Sequence, residues 1–314
     1  MRGYRFIPDD TKLPFMRWSR FGFFLSGIMC ALSIFVFATF DLNYGVDFKG
    51  GTLIQIQTQG PADIGKLRED IGSLGLGDSE LQEFGKSDTV LIRLKQQPGG
   101  DAAQQAAVAK VKEALGTGVE FQRVEVVGPK VSGELAQQGT IAVVLSILAV
   151  VAYIWFRFEW QFSVGAIASL LHDVILTIGL LTVLRVEFNL SIIAAILTIV
   201  GYSLNDTVVV FDRIREFLRK YKTMPLVELI EYSLNSTLAR TILTSITTMV
   251  ALTALYIFGG EVIRGFTFTM LWGVIIGTYS SIFVAAPVLI ILGTTREWSG
   301  EAKKADGEKA LADR

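Results

Sequence analysis

The chain of 314 residues holds one cysteine and one histidine. A lone thiol, Cys30, excludes a disulfide framework within the chain and leaves its redox compartment unmarked. With His172 as the only imidazole, too few ligands exist for a His- or Cys-bound metal centre. No Gly-rich phosphate loop ending in Lys occurs, so nothing points to nucleotide hydrolysis. Charge is scarce as well: 19% of residues are charged and 51% hydrophobic, too little charge for a soluble domain of this length.

That scarcity is patterned. Phe21–Phe40, Leu135–Phe156, Thr241–Gly260 and Gly265–Thr295 contain no Asp, Glu, Lys or Arg, and Trp160–Leu184 and Phe188–Phe211 each hold an internal Asp. A membrane span needs about 20 apolar residues, so the chain reads as an α-helical membrane protein with six spans. The first run is longer than a signal-peptide core and no small-x-small site follows it. Met29 before Cys30 fits no lipoprotein cleavage site, and the run reads as a retained helix.

Basic residues set the orientation. Arg2, Arg5, Lys12, Arg17 and Arg20 precede the first span. Arg213, Arg215, Arg219, Lys220, Lys222 and Arg240 lie between the fourth and fifth, and Arg296, Lys303, Lys304, Lys309 and Arg314 follow the last. The short opposite loops carry only Arg185 and Arg264. By the positive-inside rule both termini are cytoplasmic, and residues 41–134 face the other side. The expected order is a cytoplasmic segment 1–20, a span 21–40, an outer domain 41–134, spans within 135–211, a connector 212–238, spans within 239–295 and a disordered tail 296–314.

In the outer domain, Val46–Gln59 reads as extended and Pro61–Leu74 as a helix. Leu81–Lys86 with Thr89–Lys95 suits a hairpin, Asp101–Leu115 an Ala-rich helix and Val119–Val127 a closing strand. The order β-α-β-β-α-β is ferredoxin-like, an α+β periplasmic domain. Gly50-Gly51 reads as a strand bulge, with a hinge or backbone contact as the alternative. In the connector, Ile214, Phe217, Leu218 and Tyr221 share one helical face opposite Arg213, Arg219 and Lys220, the pattern of a helix lying on the membrane surface. Pro287 should kink the last span.

Charges inside a span cost about 2.5–3.5 kcal/mol on insertion scales and point to function. Asp173 heads a four-residue stripe with Gly165, Ser169 and Thr177. Asp206 follows Thr198 and Tyr202 at the same spacing, with Asn205 adjacent, and Arg240 is followed by Thr244 and Thr248. Residues four apart share a helix face, so three helices turn polar edges toward a common interior. At 1.5 Å per residue, Asp206 lies roughly 9 Å inside the end marked by Asp212, within reach of Arg240. The alternatives are a snorkelling Arg240, an Asp206 hydrated from the cytoplasm and an Asp173 that only ties helices together. His172 sits roughly 100° around the helix from Asp173 and reads as a packed neutral residue, although its intrinsic chemistry would suit a proton relay. The stripe Gly273, Gly277, Ser281, Ala285 suits close helix packing.

His172-Asp173-Val174-Ile175, the run from Gly201 to Glu216 containing Asn205-Asp206-Thr207-Val208-Val209, and Gly45-Val-Asp-Phe-Lys-Gly-Gly-Thr52 together resemble the signature of the SecF family. Arg240-Thr-Ile-Leu-Thr-Ser245, Phe258-Gly-Gly260 and Arg264-Gly-Phe266 extend the match in order, over residues 17 to about 296. The resemblance implies half of an RND-type (resistance-nodulation-division) bundle in the bacterial inner membrane, paired with SecD beside the SecYEG channel. It implies use of the proton-motive force to draw unfolded preproteins outward, with YajC and YidC as further partners. It also implies that Asp206 and Arg240 belong to the proton path, Asp173 more weakly; the spacing adds Asn205, Tyr202 and Thr244 as a supporting polar interior. No cofactor and no nucleic acid are implied. Two rivals remain: a half-size exporter of lipids or small molecules, and an intramembrane aspartyl protease using Asp173 and Asp206. The protease reading lacks the expected Tyr-Asp and Gly-x-Gly-Asp contexts.

Overall fold

The computed structural model describes residues 11–294; the expected disorder of the tail lies outside the described residues. Helix α1 (Phe15–Phe40) starts after Pro14 and ends at Asp41, where φ is 52°. Arg185, with φ of 53°, donates its guanidinium to the carbonyl oxygens of Phe40 and Asp41 at 3.0 and 3.1 Å. A helix end leaves such carbonyls unpaired, and its dipole favours a cation there.

The outer domain follows as β1 (Asn43–Tyr44), α2 (Val46–Lys49), β2 (Gly51–Thr58), α3 (Ile64–Gly72), β3 (Ser79–Phe84), β4 (Lys86–Leu94), α4 (Gly100–Leu115) and β5 (Val119–Val127). Strands β3-β4-β2-β5 form one antiparallel sheet, the ferredoxin-like order. Alternation sends Ile54, Ile56, Val90, Ile92 and Leu94 to one face, where Leu67 and Ile71 of α3 and Ala107 and Val111 of α4 cover them. Asp63 caps α3 by accepting from the Lys66 amide at 3.0 Å.

The extended reading of Val46–Gln59 needs correction at its start, because residues 46–49 make a helical turn and the strand begins at Gly51. The glycine pair is no bulge; the register shift falls at Gln55/Ile56. Instead Gly50 and Gly51, at φ of 67° and 115°, turn the chain from α2 into β2, and a Cβ on Gly51 would run into the Leu94 carbonyl oxygen. Gly51→Ala should therefore destabilise the outer domain by about 2 kcal/mol or more. Amide hydrogen exchange in β2 and β4 reads this directly, with Gly60→Ala, which meets nothing within 4 Å, as the silent control.

Six helices are long and apolar enough to cross a membrane. After α1 come α5 (Pro129–Arg157), α6 (Trp160–Val183), the short β6 (Glu187–Phe188), α7 (Leu190–Lys220), α8 (Leu226–Phe258), α9 (Glu261–Ser280), a π-helical turn (Ser281–Ala285) and α10 (Ala286–Leu292). Helix α5 starts at Pro129, ahead of the expected Leu135, because proline suits a first helical position. Across an apolar stretch of 18 residues in each span, buried residues make up 56% in α6, 44% in α7 and 67% in the last span, against 17% or less in the others. These three therefore form the middle of the bundle.

The connector is not a separate surface helix. Helix α7 runs unbroken to Lys220 and α8 restarts after Pro225, with only a turn between. Ile214 and Phe217 pack on Leu229, Ile230 and Leu234, so the amphipathic face meets protein. Nothing between Asp212 and Lys220 breaks a helix, which is why the span overruns its apolar stretch. Pro287 acts locally: it cannot donate to the preceding turn and its ring crowds that carbonyl, and the chain answers with the π turn. The small-residue stripe works as expected. Gly273 meets the Ile199 side chain, and a Cβ on Gly277 would lie 3.0 Å from Ser203 Cβ, bringing α9 hard against α7.

Candidate functional site

Close packing of α6, α7 and α9 closes a polar cage around Asp173, which is 1% exposed. Its Oδ2 accepts from Ser203 Oγ on α7 at 2.5 Å and from Ser280 Oγ on α9 at 2.8 Å. Ser280 in turn accepts from Ser169 at 2.8 Å, and Thr177 donates to the Asp173 backbone carbonyl at 2.7 Å. The expected stripe on α6 is thus a hydrogen-bonded edge. His172 is not set apart from it: its Nδ1 lies 2.9 Å from Asp173 Oδ1. The 100° between their Cα directions is bridged by side-chain rotation. The His172 ring stacks on Tyr279 at 6.0 Å, and the Tyr279 hydroxyl donates to the Gly22 carbonyl on α1 at 2.9 Å.

Asp206 is equally buried, at 3% exposed, but loosely held. Its one hydrogen-bond contact among the described residues is Thr278 Oγ1 at 3.5 Å, the outer limit for such a bond. The Thr278 hydroxyl has a single proton and also lies 2.9 Å from the Val274 carbonyl and 2.9 Å from Ser245 Oγ. Of the two intramembrane carboxyl groups, Asp173 is fully coordinated and Asp206 is not.

The expected Asp206–Arg240 ion pair is not formed in this conformation. Arg240 is exposed on α8, though close enough for its charge to act on Asp206. Asn205 is exposed, Thr244 donates to its own helix at the Arg240 carbonyl, 2.8 Å away, and the buried Tyr202 hydroxyl has no partner. Among the described residues none of the three hydrogen-bonds to the Asp206 carboxyl. Ser203, Thr278, Ser245 and Ser280, which do build the two sites, were not singled out for them by spacing. Among the described residues no group of His, Cys, Asp and Glu could hold a metal ion.

At the domain end of the bundle, β1 pairs in parallel with β6. Arg93 of the sheet bridges Glu187 at 3.1 Å, and Asp47 accepts from the Leu190 amide at 2.9 Å. Burial pushes the Glu187 carboxyl up from its ordinary 4.5, with Arg93 pulling the other way. A raised group binds its proton more tightly when folded, so its contribution is complete below the ordinary value and fades as pH rises through the raised one. Glu187→Gln should remove that slope. The difference in melting temperature between variant and wild type should grow in the variant's favour as pH rises from about 4.5 toward neutrality. Parallel curves would show that burial is not the governing effect.

Residues 107–295 match the family described as protein export membrane protein SecD/SecF, C-terminal, and residues 35–62 match the SecD/SecF GG motif. The chain belongs to the SecD/SecF family. It is 45% identical to protein translocase subunit SecF of Desulfurispirillum indicum, over 88% of this chain and 91% of that one. It is 41% identical to protein translocase subunit SecDF of Brucella abortus, over 98% of this chain but 41% of that one. The crystal structure of SecDF, a translocon-associated membrane protein from Thermus thermophilus, superposes with a TM-score of 0.81 at 31% identity, covering 91% of this chain and 39% of that one. A SecDF in a super-membrane-facing form superposes at 0.66. Against SecD/SecF relatives, then, this chain spans nearly all of a SecF and about two fifths of a SecDF. The GG-motif match holds the Gly50-Gly51 turn, and the C-terminal match holds Asp173, Asp206 and Arg240.

Proposed function

We propose that the chain is the SecF half of a SecD–SecF unit of the bacterial inner membrane. In this reading protons crossing the bundle power late steps in the export of unfolded preproteins through SecYEG. The observation that carries it is Asp206, a carboxyl group buried in the middle layer with one long hydrogen bond and a cation near but not bound. Arginine stays protonated at any working pH, so the proton rides on Asp206. Arg240 stabilises the ionised form whenever the two close together. One charge moved through 100 mV is worth about 2.3 kcal/mol, enough to shift a two-state balance when one state prefers the protonated acid.

A partner half is supported by physics as well as by length. Asn205 is exposed within the α7 span and Arg240 is exposed where the apolar stretch of α8 begins, and lipid satisfies neither an amide nor a guanidinium. A second half facing α7 and α8 would cover both. Orientation follows the charge: Arg157, Arg213, Arg215, Arg219 and Lys220 gather at one end, which we take as cytoplasmic together with both termini, leaving residues 41–134 periplasmic. The β1–β6 pairing and the Arg93–Glu187 bridge tie that domain to α6 and α7, so a shift of these helices reaches it directly. Co-purification from native membranes tests the assembly: a stoichiometric SecD-like partner is expected, and a chain recovered alone and active would contradict it.

A further inference from the structure

We propose that His172 and Asp173 together form one proton-binding site, a second one in the bundle beside Asp206, with the Nε2 edge of His172 as the point where the proton enters and leaves. The inference rests on the proton-driven reading above and extends it to a residue that reading leaves out.

Both residues are buried, His172 at 5% and Asp173 at 1% exposed. Asp173 is met by His172 Nδ1 on one oxygen and by the Ser203 and Ser280 hydroxyls on the other. With the Ser203 and Ser280 hydroxyls both donating to Oδ2, the bridge between Oδ1 and Nδ1 holds a single proton that the two residues share, formally an imidazole N–H facing a carboxylate. Among the described residues no Lys or Arg pairs with that anion; His172 is its one basic contact. The charge of the pair therefore depends on the ring. With both ring nitrogens protonated the pair is neutral, and with one proton it leaves a net negative charge in the bundle interior, where uncompensated charge is costly. Nδ1 is committed to Asp173. Nε2 is buried and meets no hydrogen-bond partner, a rare condition for a polar atom in a packed interior. Exchange with a proton donor can occur only there.

The neighbours leave the ring alone in this role. From α1 comes Cys30, near enough to feel the Asp173 charge, and from α9 comes Tyr279, stacked on the ring. Both are uncharged in their ordinary forms. Helix α7 presents Ser203, flanked along the helix by Tyr202 and Asp206, and α10 has no titratable residue. The pair is also connected to α9 and to α1. Ser280 ends α9 at the π turn, and Tyr279 lies 3.0 Å from Ser26 on α1, the helix that leads into the outer domain.

A single histidine makes the test direct. The full chain carrying isotope-labelled histidine, reconstituted in lipid bilayers with an unlabelled SecD-like half, gives one pair of ring-nitrogen NMR signals. We expect the ring to pass between imidazolium and neutral forms as pH is varied, and Asp173→Asn to hold it neutral throughout. His172→Asn, whose amide can keep the bond to Asp173 without carrying a proton, should assemble normally and lose about tenfold or more of gradient-driven export. A wild-type ring fixed in one protonation state, or full gradient-driven export by His172→Asn, overturns the proposal. The ring signals are read without reference to Asp206, so failure of the Asp206 reading would show separately, as gradient-sensitive export in Asp206→Asn.

Discussion

Asp206→Asn should abolish the gradient-dependent part of preprotein export while leaving assembly with the partner half intact. Asparagine has the shape of the acid, and its amide can keep the long contact to Thr278. The packing on α9 and the fold therefore survive, and only the exchangeable proton is lost. The expected effect is complete for the gradient-driven component and small for stability, because the amide keeps the shape of the carboxyl group and its contact to Thr278. Export into inverted membrane vesicles, with and without an uncoupler, separates the two components. Export by the variant that still collapses with the uncoupler would remove Asp206 from the proton path.

Arg240→Lys should be nearly as damaging, although it keeps the charge. Arginine offers a planar fork to a carboxylate, whereas lysine offers a compact, strongly hydrated point charge. In this conformation Arg240 is exposed and apart from Asp206, so its work lies in a state where the two close together. Losing one charge-assisted hydrogen bond in that state costs about 1.5–3 kcal/mol, or on the order of tenfold or more in the driven rate. Arg240→Ala should be worse still, because the ionised Asp206 would then have no cation at all. Wild-type export by Arg240→Lys would reassign the residue to simple snorkelling at the interface.

The membrane spans were legible because lipid imposes a coarse rule: about 20 residues without charge. Their ends were not legible by that rule. Helix α7 overruns its apolar stretch from Phe211 to Lys220 because Ile214 and Phe217 find α8 to pack on, and hydropathy carries no record of that partner. The outer domain was legible through alternation at Ile54, Ile56, Val90 and Ile92, while the Gly50-Gly51 turn hid inside an apparently extended run.

For the site, the two Asp residues stood out because charge in a span is rare, but their partners did not. Most hydroxyls on these helices bond a carbonyl of their own helix, as Thr198, Thr244, Thr247, Thr267 and Thr269 do. Nothing in the sequence sets Ser203, Ser280 or Thr278 apart from these, and only helix packing turns them toward a carboxylate. The contact between His172 and Asp173 is hidden in the sequence for a related reason. Angular spacing counts where Cα bonds point, and a long side chain can rotate across that gap.

That Asp206 gains and loses a proton as the molecule works is tested most directly by infrared difference spectroscopy of the reconstituted SecD–SecF pair, recorded before and after a proton gradient is imposed. A protonated-carboxyl band that appears with the gradient in the wild type and is missing in Asp206→Asn is the predicted result. Identical difference spectra from the two proteins would contradict it.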